Sequence, residues 1–352
     1  MKQARVNTIT PGRDALTRAL HELLGERCRA GEPLSKRTSL RIGGEASWWV
    51  EPHSQDELEQ ILELCCIHEI PHHVVGLGSN TLFPDEGIDG VVIRLQGAFS
   101  SWRVVEECEK GDVLVEIGAG CVNAHLVRGL LSEGFVGAEF LMLIPGTFGG
   151  AVAMNAGTRE ADLGGILEEV SYVVLPKAAR DRGDCQRVRA ASQELGISYR
   201  HVDLPAGAIV TSATIRVSRG DVELARKAAQ DDKDRRNATQ PYRLASVGST
   251  FANPPGDYAG RLIEAVGLKG ERIGGAQIST LHANFFINES KQATAADFLR
   301  LMARARVMVR QRFGVELRPE VKWVGFDGWS ALLAFEVEEA EQASSSREVC
   351  DE

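Results

Sequence analysis

The sequence lacks the long apolar run that a membrane-spanning helix needs. None of its hydrophobic stretches approaches the roughly 20 residues required to cross a bilayer. The segment from Met1 to Gly12 also lacks the apolar stretch of a secretory signal. We therefore expect a cytoplasmic protein that does not insert into a membrane.

Clusters of one charge, of cysteine or of histidine are equally scarce. The formal net charge is −9, and there is no long Lys/Arg stripe to replace the counterions of a nucleic acid, so nucleic-acid binding is disfavoured. The 7 cysteines have no CxxC spacing and the 8 histidines are scattered, which argues against a disulfide framework and against any metal site. A GxSxG elbow is also missing, which removes the usual hydrolase signal.

Glycine, by contrast, is abundant and is concentrated in loops. The strongest signal is the run IPGTFGGAVAMNAG from Ile144, which contains Pro145, Gly146, Thr147, Gly149 and Gly150. Such glycines reach backbone angles denied to other residues and expose bare N–H groups, as a pyrophosphate or a flat ring system requires. The alternative is that they merely turn a buried strand pair.

A second loop of this kind follows the apolar strand from His72 to Leu77. Its candidate ligand-contacting residues are Gly76, Gly78, Ser79 and Asn80. The spacing begins like a dinucleotide fingerprint, but Thr81 occupies the third glycine position and Pro84 would interrupt the following helix, so a Rossmann fold is weakly supported. A small hydroxyl, an amide and free backbone donors suit phosphate oxygens without a helix dipole.

The periodicity predicts an α+β chain. One helix is predicted from Pro11 to about Cys28, and another begins at Ser54, where Glu57 completes a capping box. Short strands rich in Val and Ile then dominate, up to about residue 217. A longer helix follows Thr294 and carries an apolar stripe formed by Phe298, Leu301, Met302, Ala305, Val309 and Phe313.

A chain of 352 residues exceeds what one hydrophobic core usually serves, so we expect two compact units. The mixed-charge stretch over residues 217–242 marks the junction between them. We predict an N-terminal helical segment at 1–33, a first domain at 34–218, a second domain at 219–326 and a disordered acidic, Ser-rich tail at 327–352.

Eight segments, taken in order, resemble one family. They are RTSLRIGGEA from Arg37, GLGSNTLFPDEGIDGVVIRL from Gly76, IPGTFGGAVAMNAG from Ile144, SYR ending at Arg200, GSTFANPPGDYAGRLIEAVGLKG from Gly248, GGAQIS from Gly274, HANFFIN from His282 and FGVELRPEV from Phe313. Over nearly its whole length the chain resembles the UDP-N-acetylenolpyruvoylglucosamine reductases, the MurB flavoenzymes of peptidoglycan synthesis. It looks like the form without the inserted tyrosine loop, because no such insertion lies between Ser198 and Val217.

The resemblance implies a vanillyl-alcohol-oxidase-type (PCMH-type) FAD-binding domain at 34–218, followed by a smaller α+β substrate-binding domain. It implies FAD as cofactor, NADPH as reductant and a small-molecule UDP-sugar as substrate. Both glycine loops would lie along the FAD. Two residues depart from the usual pattern, Leu77 in place of a glycine and Phe148 in place of a smaller aliphatic residue. We expect a monomer or a weak homo-oligomer.

The resemblance also assigns the catalytic residues. Ser249 matches the proton donor, while Arg200 and Glu320 match the pair that stabilises the enolate formed when hydride adds to the terminal carbon of the enolpyruvyl group. A guanidinium fork suits a carboxylate, and Glu320 could bond the enolate if burial keeps it protonated. Tyr199 and Asn253 match substrate-contacting positions.

Each of these residues also has an ordinary interpretation. Without the family, Ser249 is a turn hydroxyl, Arg200 a surface or salt-bridge residue and Glu320 a solvated carboxylate. Tyr199 and Asn253 could be loop packing. The neighbouring Arg235 and Arg236 are either part of a solvated helix face or a contact for the substrate phosphates.

Two functions from other classes stay open. One is an FAD-dependent oxidase or dehydrogenase of another carbohydrate or alcohol on the same fold. The other is a non-catalytic protein that binds a UDP-sugar or a flavin.

Overall fold

A computed structural model describes residues 11–108, 111–175 and 185–348. The first ten residues of the predicted N-terminal segment and the last four of the predicted tail lie outside these ranges. Within them the helices are α1 (Pro11–Leu24), α2 (Gln55–Ile67), α3 (Asn123–Ser132), α4 (Phe148–Ala153), α5 (Val222–Thr239), α6 (Ala259–Ala265), α7 (Ala295–Phe313) and α8 (Gly328–Glu348).

The strands are mostly short. They are β1 (Cys28–Pro33), β2 (Glu45–Val50), β3 (His72–Val74), β4 (Thr81–Leu82), β5 (Ile88–Ile93), β6 (Trp102–Glu107), β7 (Asp112–Gly118), β8 (Phe135–Val136), β9 (Leu167–Val174), β10 (Gln186–Ala191), β11 (Ile209–Arg219), β12 (Ser246–Ser249), β13 (Arg272–Ile273), β14 (Ala276–Ile278), β15 (Phe285–Ile287) and β16 (Lys322–Trp323).

Three main sheets organise these strands. The first has the order β1-β2-β5-β3, the second β10-β9-β11-β7-β6 with β8 beside β11, and the third β12-β15-β14-β13. Pairing in the second and third sheets is antiparallel, whereas β2, β5 and β3 run parallel. Sheets of both kinds together with packed helices confirm the predicted α+β class.

The largest hydrophobic core joins the first two sheets to α1, α2 and α3. A separate core forms around α7, whose predicted apolar stripe is buried from Phe298 to Val309. This second core also takes in Leu40, Ile42 and Leu82, which precede the predicted second domain by more than a hundred residues. The second core is therefore built from chain segments that are distant in sequence.

The start of α2 matches the prediction only in part. The Ser54 hydroxyl accepts a hydrogen bond from the Glu57 N–H at 3.2 Å, as a capping residue should. The Glu57 carboxylate, however, accepts from the His53 N–H and from both terminal nitrogens of Arg27. These contacts hold the pKa of Glu57 at about 2, with the Arg27 hydrogen bonds as the main cause. The carboxylate thus fastens α2 to the end of α1.

The prediction of a disordered tail is wrong for Gly328–Glu348, which form α8. Leu332 is fully buried, and Glu336 is buried between Arg306 and Arg310 of α7. Acidic composition alone suggested a solvated tail, but these two arginines supply the partners that allow a carboxylate to be buried.

Candidate active site

Arg200 is held in place by a tight turn. The N–H groups of Ser198 and His201 each donate to the carbonyl oxygen of the other, at 3.0 and 3.1 Å. Arg200 occupies the turn with a φ of 58°, which is uncommon for a residue that has a side chain. Its Nε donates to Glu320 Oε1 at 2.8 Å, and its Nη2 donates to the Gly157 carbonyl at 3.0 Å.

Glu320 is positioned by two different parts of the chain. Its N–H donates to the Thr250 carbonyl at 2.9 Å, and its carbonyl accepts from Asn80 Nδ2 at 3.1 Å. Burial raises the pKa of the Glu320 carboxyl, while Arg200 and Lys322 oppose that rise. The carboxyl is thereby shifted towards the protonated form that a hydrogen-bond donor requires.

Ser249 ends β12, next to the backbone that holds Glu320. The Thr250–Glu320 hydrogen bond continues as a bridge between Phe251 and Pro319, so these two segments run side by side. Gly248 precedes the serine with a φ of 75° and has no atom within 4 Å of the place where a Cβ would lie. Because Gly248 has no side chain, the space on this side of Ser249 stays open for a ligand.

A single cavity of about 510 Å³ brings the candidates together. Its walls include all three predicted catalytic residues, Ser249, Arg200 and Glu320. They also include eight predicted cofactor contacts, namely Gly76, Gly78, Ser79, Asn80, Pro145, Gly146, Thr147 and Gly150. The two glycine loops and the three predicted catalytic side chains thus face one space.

The two glycine loops contact each other directly. Ser79 Oγ donates to the Pro145 carbonyl at 2.6 Å. A Cβ on Gly76 would lie 2.4 Å from Thr147 Oγ1, so any other residue at this position would require Thr147 to move. Gly146 has a φ of 145°, and a Cβ on it would lie 3.1 Å from Ser79 Oγ. Thr147 is the N-cap residue of α4.

A smaller cavity of about 180 Å³ adjoins the first along the same loops and includes the ninth predicted contact, Gly149. The two cavities share Gly76, Thr147 and Gly150. Asn123 is on the wall of the larger one, and its buried Oδ1 has no hydrogen-bond partner among the described residues. Adjoining cavities lined by glycines, with an unmet acceptor in the wall, suit an extended dinucleotide such as FAD.

Two predicted substrate contacts lie away from this cavity. Tyr199 is 58% exposed, and its ring centre is 5.1 Å from the guanidinium carbon of Arg200. The Asn253 side chain accepts from the Ala259 N–H at 3.0 Å, at the start of α6. Neither residue lines the cavity, and their contact with substrate stays a prediction.

The two basic candidates in α5 differ in position. Arg235 pairs with Asp232 and Glu160 on the surface, whereas Arg236 lines the cavity and donates to the Leu143 carbonyl and the Tyr242 hydroxyl. The two residues that depart from the family pattern, Leu77 and Phe148, line neither cavity.

Sequence reasoning missed several other wall residues, Gln240, Tyr242, Phe285 and Lys322 among them. Lys322 could have been found, since it lies two residues after Glu320 in an extended segment, where side chains alternate between faces. No sequence signal marked Gln240 or Tyr242, which follow a mixed-charge helix.

Two kinds of feature are absent from the described part of the chain. Residues 11–108, 111–175 and 185–348 contain no group of three or more His, Cys, Asp or Glu side chains arranged to hold a metal ion. In the same ranges, no helix combines the length and the apolar character that crossing a bilayer demands.

Two family models match the sequence. A model described as an FAD binding domain matches residues 46–175. A model described as the C-terminal domain of UDP-N-acetylenolpyruvoylglucosamine reductase matches residues 240–324. Every predicted cofactor contact falls inside the first match, and Ser249 and Glu320 fall inside the second.

Individual relatives agree with these models. A UDP-N-acetylenolpyruvoylglucosamine reductase of an Anaeromyxobacter species is 44% identical over 293 residues, covering 83% of this chain and 87% of the relative. A protein of Symbiobacterium thermophilum, called UDP-N-acetylenolpyruvoylglucosamine reductase 2, is 40% identical over 86% of this chain and 94% of its own length. The solved structure of the Thermus caldophilus reductase superposes with a TM-score of 0.68 at 34% identity, covering 84% of this chain and 97% of that one.

Proposed function

The chain belongs to the UDP-N-acetylenolpyruvoylglucosamine reductase (MurB) family, and from this premise we propose that it reduces UDP-N-acetylglucosamine enolpyruvate to UDP-N-acetylmuramate with electrons from NADPH. The family makes it an FAD-dependent oxidoreductase that acts on a UDP-sugar, built from an FAD-binding domain of the vanillyl-alcohol-oxidase type and a second, C-terminal domain. The identity of the reductant and the roles of individual residues are the proposal.

One observation carries the proposal. Ser249, Arg200 and Glu320 come from three separate parts of the chain, yet all three line the cavity that the glycine loops also line. Buried arginine–carboxylate pairs are common in proteins as structural elements. This pair supports a catalytic role because it faces an open cavity beside a serine.

When bound, FAD reduced by NADPH supplies the hydride that adds to the terminal carbon of the enolpyruvyl group. Gly76, Gly78, Ser79, Asn80 and the loop over residues 145–150 would hold it along the cavity wall. Ser249 then gives its hydroxyl proton to the adjacent carbon. A serine is a weak acid, but beside a strongly basic enolate it needs chiefly to be well placed.

Arg200 and Glu320 act on the negative charge that develops on the carboxylate side of the substrate. The guanidinium has five N–H donors, so it keeps some for a substrate carboxylate beyond those that it directs at Glu320 and at the Gly157 carbonyl. Burial raises the pKa of the Glu320 carboxyl, and in its protonated form this carboxyl can donate a hydrogen bond to the enolate oxygen. Preorganised donors of this kind stabilise the transition state more than the ground state.

Arg236 is the residue that we assign to the substrate phosphates. It lines the cavity, and part of its hydrogen-bonding capacity is taken by the Leu143 carbonyl and the Tyr242 hydroxyl. Its charge therefore faces the cavity in a fixed position, whereas Arg235 is neutralised by surface acids.

The cellular setting follows from this chemistry. Product formation would serve peptidoglycan precursor synthesis, and through it cell shape and division. A cytoplasmic location is part of the proposal, and the buried free thiols of Cys28, Cys65 and Cys121 are consistent with a reducing compartment.

Anaerobic stopped-flow spectroscopy tests the proposal directly. The purified protein is reduced with NADPH and then mixed with UDP-N-acetylglucosamine enolpyruvate, while absorbance near the oxidised flavin band is followed. We expect rapid reoxidation by the enolpyruvyl substrate and slow reoxidation in air. Indifference to the substrate combined with fast reaction with dioxygen would instead indicate an oxidase. A protein that binds the UDP-sugar but carries no flavin would be a binding protein.

A further inference from the structure

We propose that Asn155 is a positioning residue for Arg200, which it orients through the turn that carries the arginine. The inference rests on the proposed function, because it presupposes that Arg200 acts on the substrate. It adds a residue that touches neither Glu320 nor Ser249. The basis is a chain of hydrogen bonds from the end of α4 to the Arg200 turn.

Asn155 lies just after α4 (Phe148–Ala153), the short helix that begins within the glycine loop over residues 145–150. Its φ is 39°, and its N–H donates to the Val152 carbonyl at 3.0 Å, while the Ala156 N–H donates to the Ala151 carbonyl at 2.8 Å. This pair of bonds is the usual left-handed helix ending, in which asparagine is the commonest residue after glycine. A glycine would satisfy the backbone here, so the side chain needs a separate reason.

The side chain uses both ends of its amide. Nδ2 donates to the Ser198 carbonyl at 3.0 Å, and Oδ1 accepts from the Gly164 N–H at 2.7 Å. Asn155 is only 3% exposed, so these bonds are shielded from water. A buried amide with one donor and one acceptor bond fixes the separation between the two backbone groups that it joins.

The Asn155 amide contacts the Arg200 turn through its hydrogen bond to the Ser198 carbonyl. The same oxygen accepts from the His201 N–H, which closes the turn around Arg200. Arg200 has a φ of 58° there, a backbone conformation that a residue with a side chain adopts only when its surroundings enforce it. Two residues beyond Asn155, the Gly157 carbonyl accepts from Arg200 Nη2 at 3.0 Å. One segment therefore holds both the turn and the guanidinium.

If the turn were displaced, the Arg200 guanidinium would no longer point at the substrate carboxylate that it is proposed to bind. Displacements of about 1 Å at a reacting group are able to slow catalysis about 100-fold. The expected signature of Asn155 is thus a kinetic defect confined to the step in which Arg200 acts.

The test compares Asn155→Asp with Asn288→Asp by anaerobic stopped-flow. Aspartate keeps the acceptor but loses the Nδ2 donor. Asn288 is a matched control, because it is also buried and also joins two backbone groups, donating to the Leu40 carbonyl and accepting from the Ala293 N–H, both at 3.0 Å. We expect Asn155→Asp to slow flavin reoxidation by the enolpyruvyl substrate about 100-fold and to leave flavin reduction by NADPH unchanged. Asn288→Asp should slow neither step.

A second variant guards against misfolding. Asn155→Gly preserves the left-handed backbone while removing both side-chain bonds, and it should show the same selective defect.

A double-mutant cycle separates positioning from a general structural role. In an Arg200→Ala background, Asn155→Asp should cause no further slowing of reoxidation, although its effect on the melting temperature should persist. Equal slowing in both backgrounds, or slowing no greater than that of Asn288→Asp, overturns the inference and leaves the proposed function standing. If Arg200→Ala itself reoxidises at the wild-type rate, the proposed role of Arg200 is what has failed.

Discussion

The pairing of Arg200 with Glu320 shows how an ordinary and a catalytic interpretation of one residue can both hold. Judged without the family, Arg200 is a surface or salt-bridge residue, and it does form a salt bridge, with 2.8 Å between its Nε and Glu320 Oε1. What supports catalysis is the partner, a second candidate with a raised pKa, and the cavity that both of them line. Whether this ion pair is structural or catalytic therefore depends on its surroundings, and here it lines the cavity that also contains Ser249.

Replacing Ser249 with alanine should separate the two half-reactions. Loss of the hydroxyl removes the proton donor, so flavin reoxidation by the enolpyruvyl substrate should slow by about 100-fold or more. Flavin binding and reduction by NADPH should be unchanged, as anaerobic stopped-flow would measure. Ser246→Ala, at the other end of β12, is the matched control. An equal loss of both half-reactions would contradict the donor assignment.

The pH profile should report on Glu320. If its protonated form is active, reoxidation is fast below the raised pKa of Glu320 and slows as the pH climbs through it. Lys322 lowers that pKa by its charge, so Lys322→Met should raise the pKa and move the decline to higher pH. Lys322→Arg keeps the charge and should leave the profile in place. A shift to lower pH in Lys322→Met would exclude Glu320 as the titrating group.

Among the elements, α8 shows how a buried ion pair can anchor a helix of acidic composition. Glu336 contacts Arg306 and Arg310, and Arg306 also donates to the Leu317 carbonyl. The Arg306 guanidinium lies over the Trp329 ring at 5.0 Å. Removing one member of such a network leaves the opposite charge buried without a partner.

Glu336→Ala should therefore destabilise the protein strongly, by about 3 kcal/mol. Urea unfolding followed by tryptophan fluorescence would measure the change. Glu338, on the exposed face of the same helix, provides the control, and Glu338→Ala should alter stability by less than about 0.5 kcal/mol. Similar effects of the two substitutions would show that the ion pair does not anchor α8.

At the scale of the whole molecule, the candidate active site is formed where segments of the first half of the chain are bonded to segments of the C-terminal part. Strand β16 pairs with β4, the Ser39 hydroxyl donates to the Ser246 carbonyl at 2.6 Å, and Asn80 reaches the Glu320 carbonyl. Asp85 adds a further link by accepting from the Ala295 N–H at the start of α7, at 2.7 Å. These contacts hold the cavity walls formed by the N-terminal part of the chain against the walls formed by its C-terminal part.

Asp85→Ala tests this fastening. A carboxylate that accepts from the first N–H groups of a helix contributes about 1 kcal/mol, so the free energy of unfolding should fall by about that amount, as urea denaturation would measure. Because the link lies between the cores, FAD should also dissociate more readily in fluorescence titrations. Glu86→Ala, a change at the exposed neighbour, should affect neither quantity; equal effects at both positions would argue against a specific link.

Periodicity and capping chemistry are local properties, and the elements that depend on them were predictable. The helix predicted after Thr294 begins at Ala295 and ends before Gly314, whose φ of 66° is the left-handed conformation in which glycine commonly ends a helix. The short strands rich in Val and Ile that were predicted up to about residue 217 include β7, Asp112–Gly118, in which buried and partly exposed residues alternate. In both cases the sequence signal, the ends of the helix and the alternation along the strand, lies within a short stretch of the chain.

The family, the fold class and the positions of the candidate site residues could be predicted from the sequence alone. The reason is that the ordered motifs of the family occur in the chain and assign each candidate to a numbered residue. The burial of Glu336, the lining of the cavity by Lys322 and Tyr242, and the hold of Asn155 on the Arg200 turn were decided only by tertiary structure. Each depends on groups tens of residues or more apart, whose distance, burial and charge environment arise only when the chain folds.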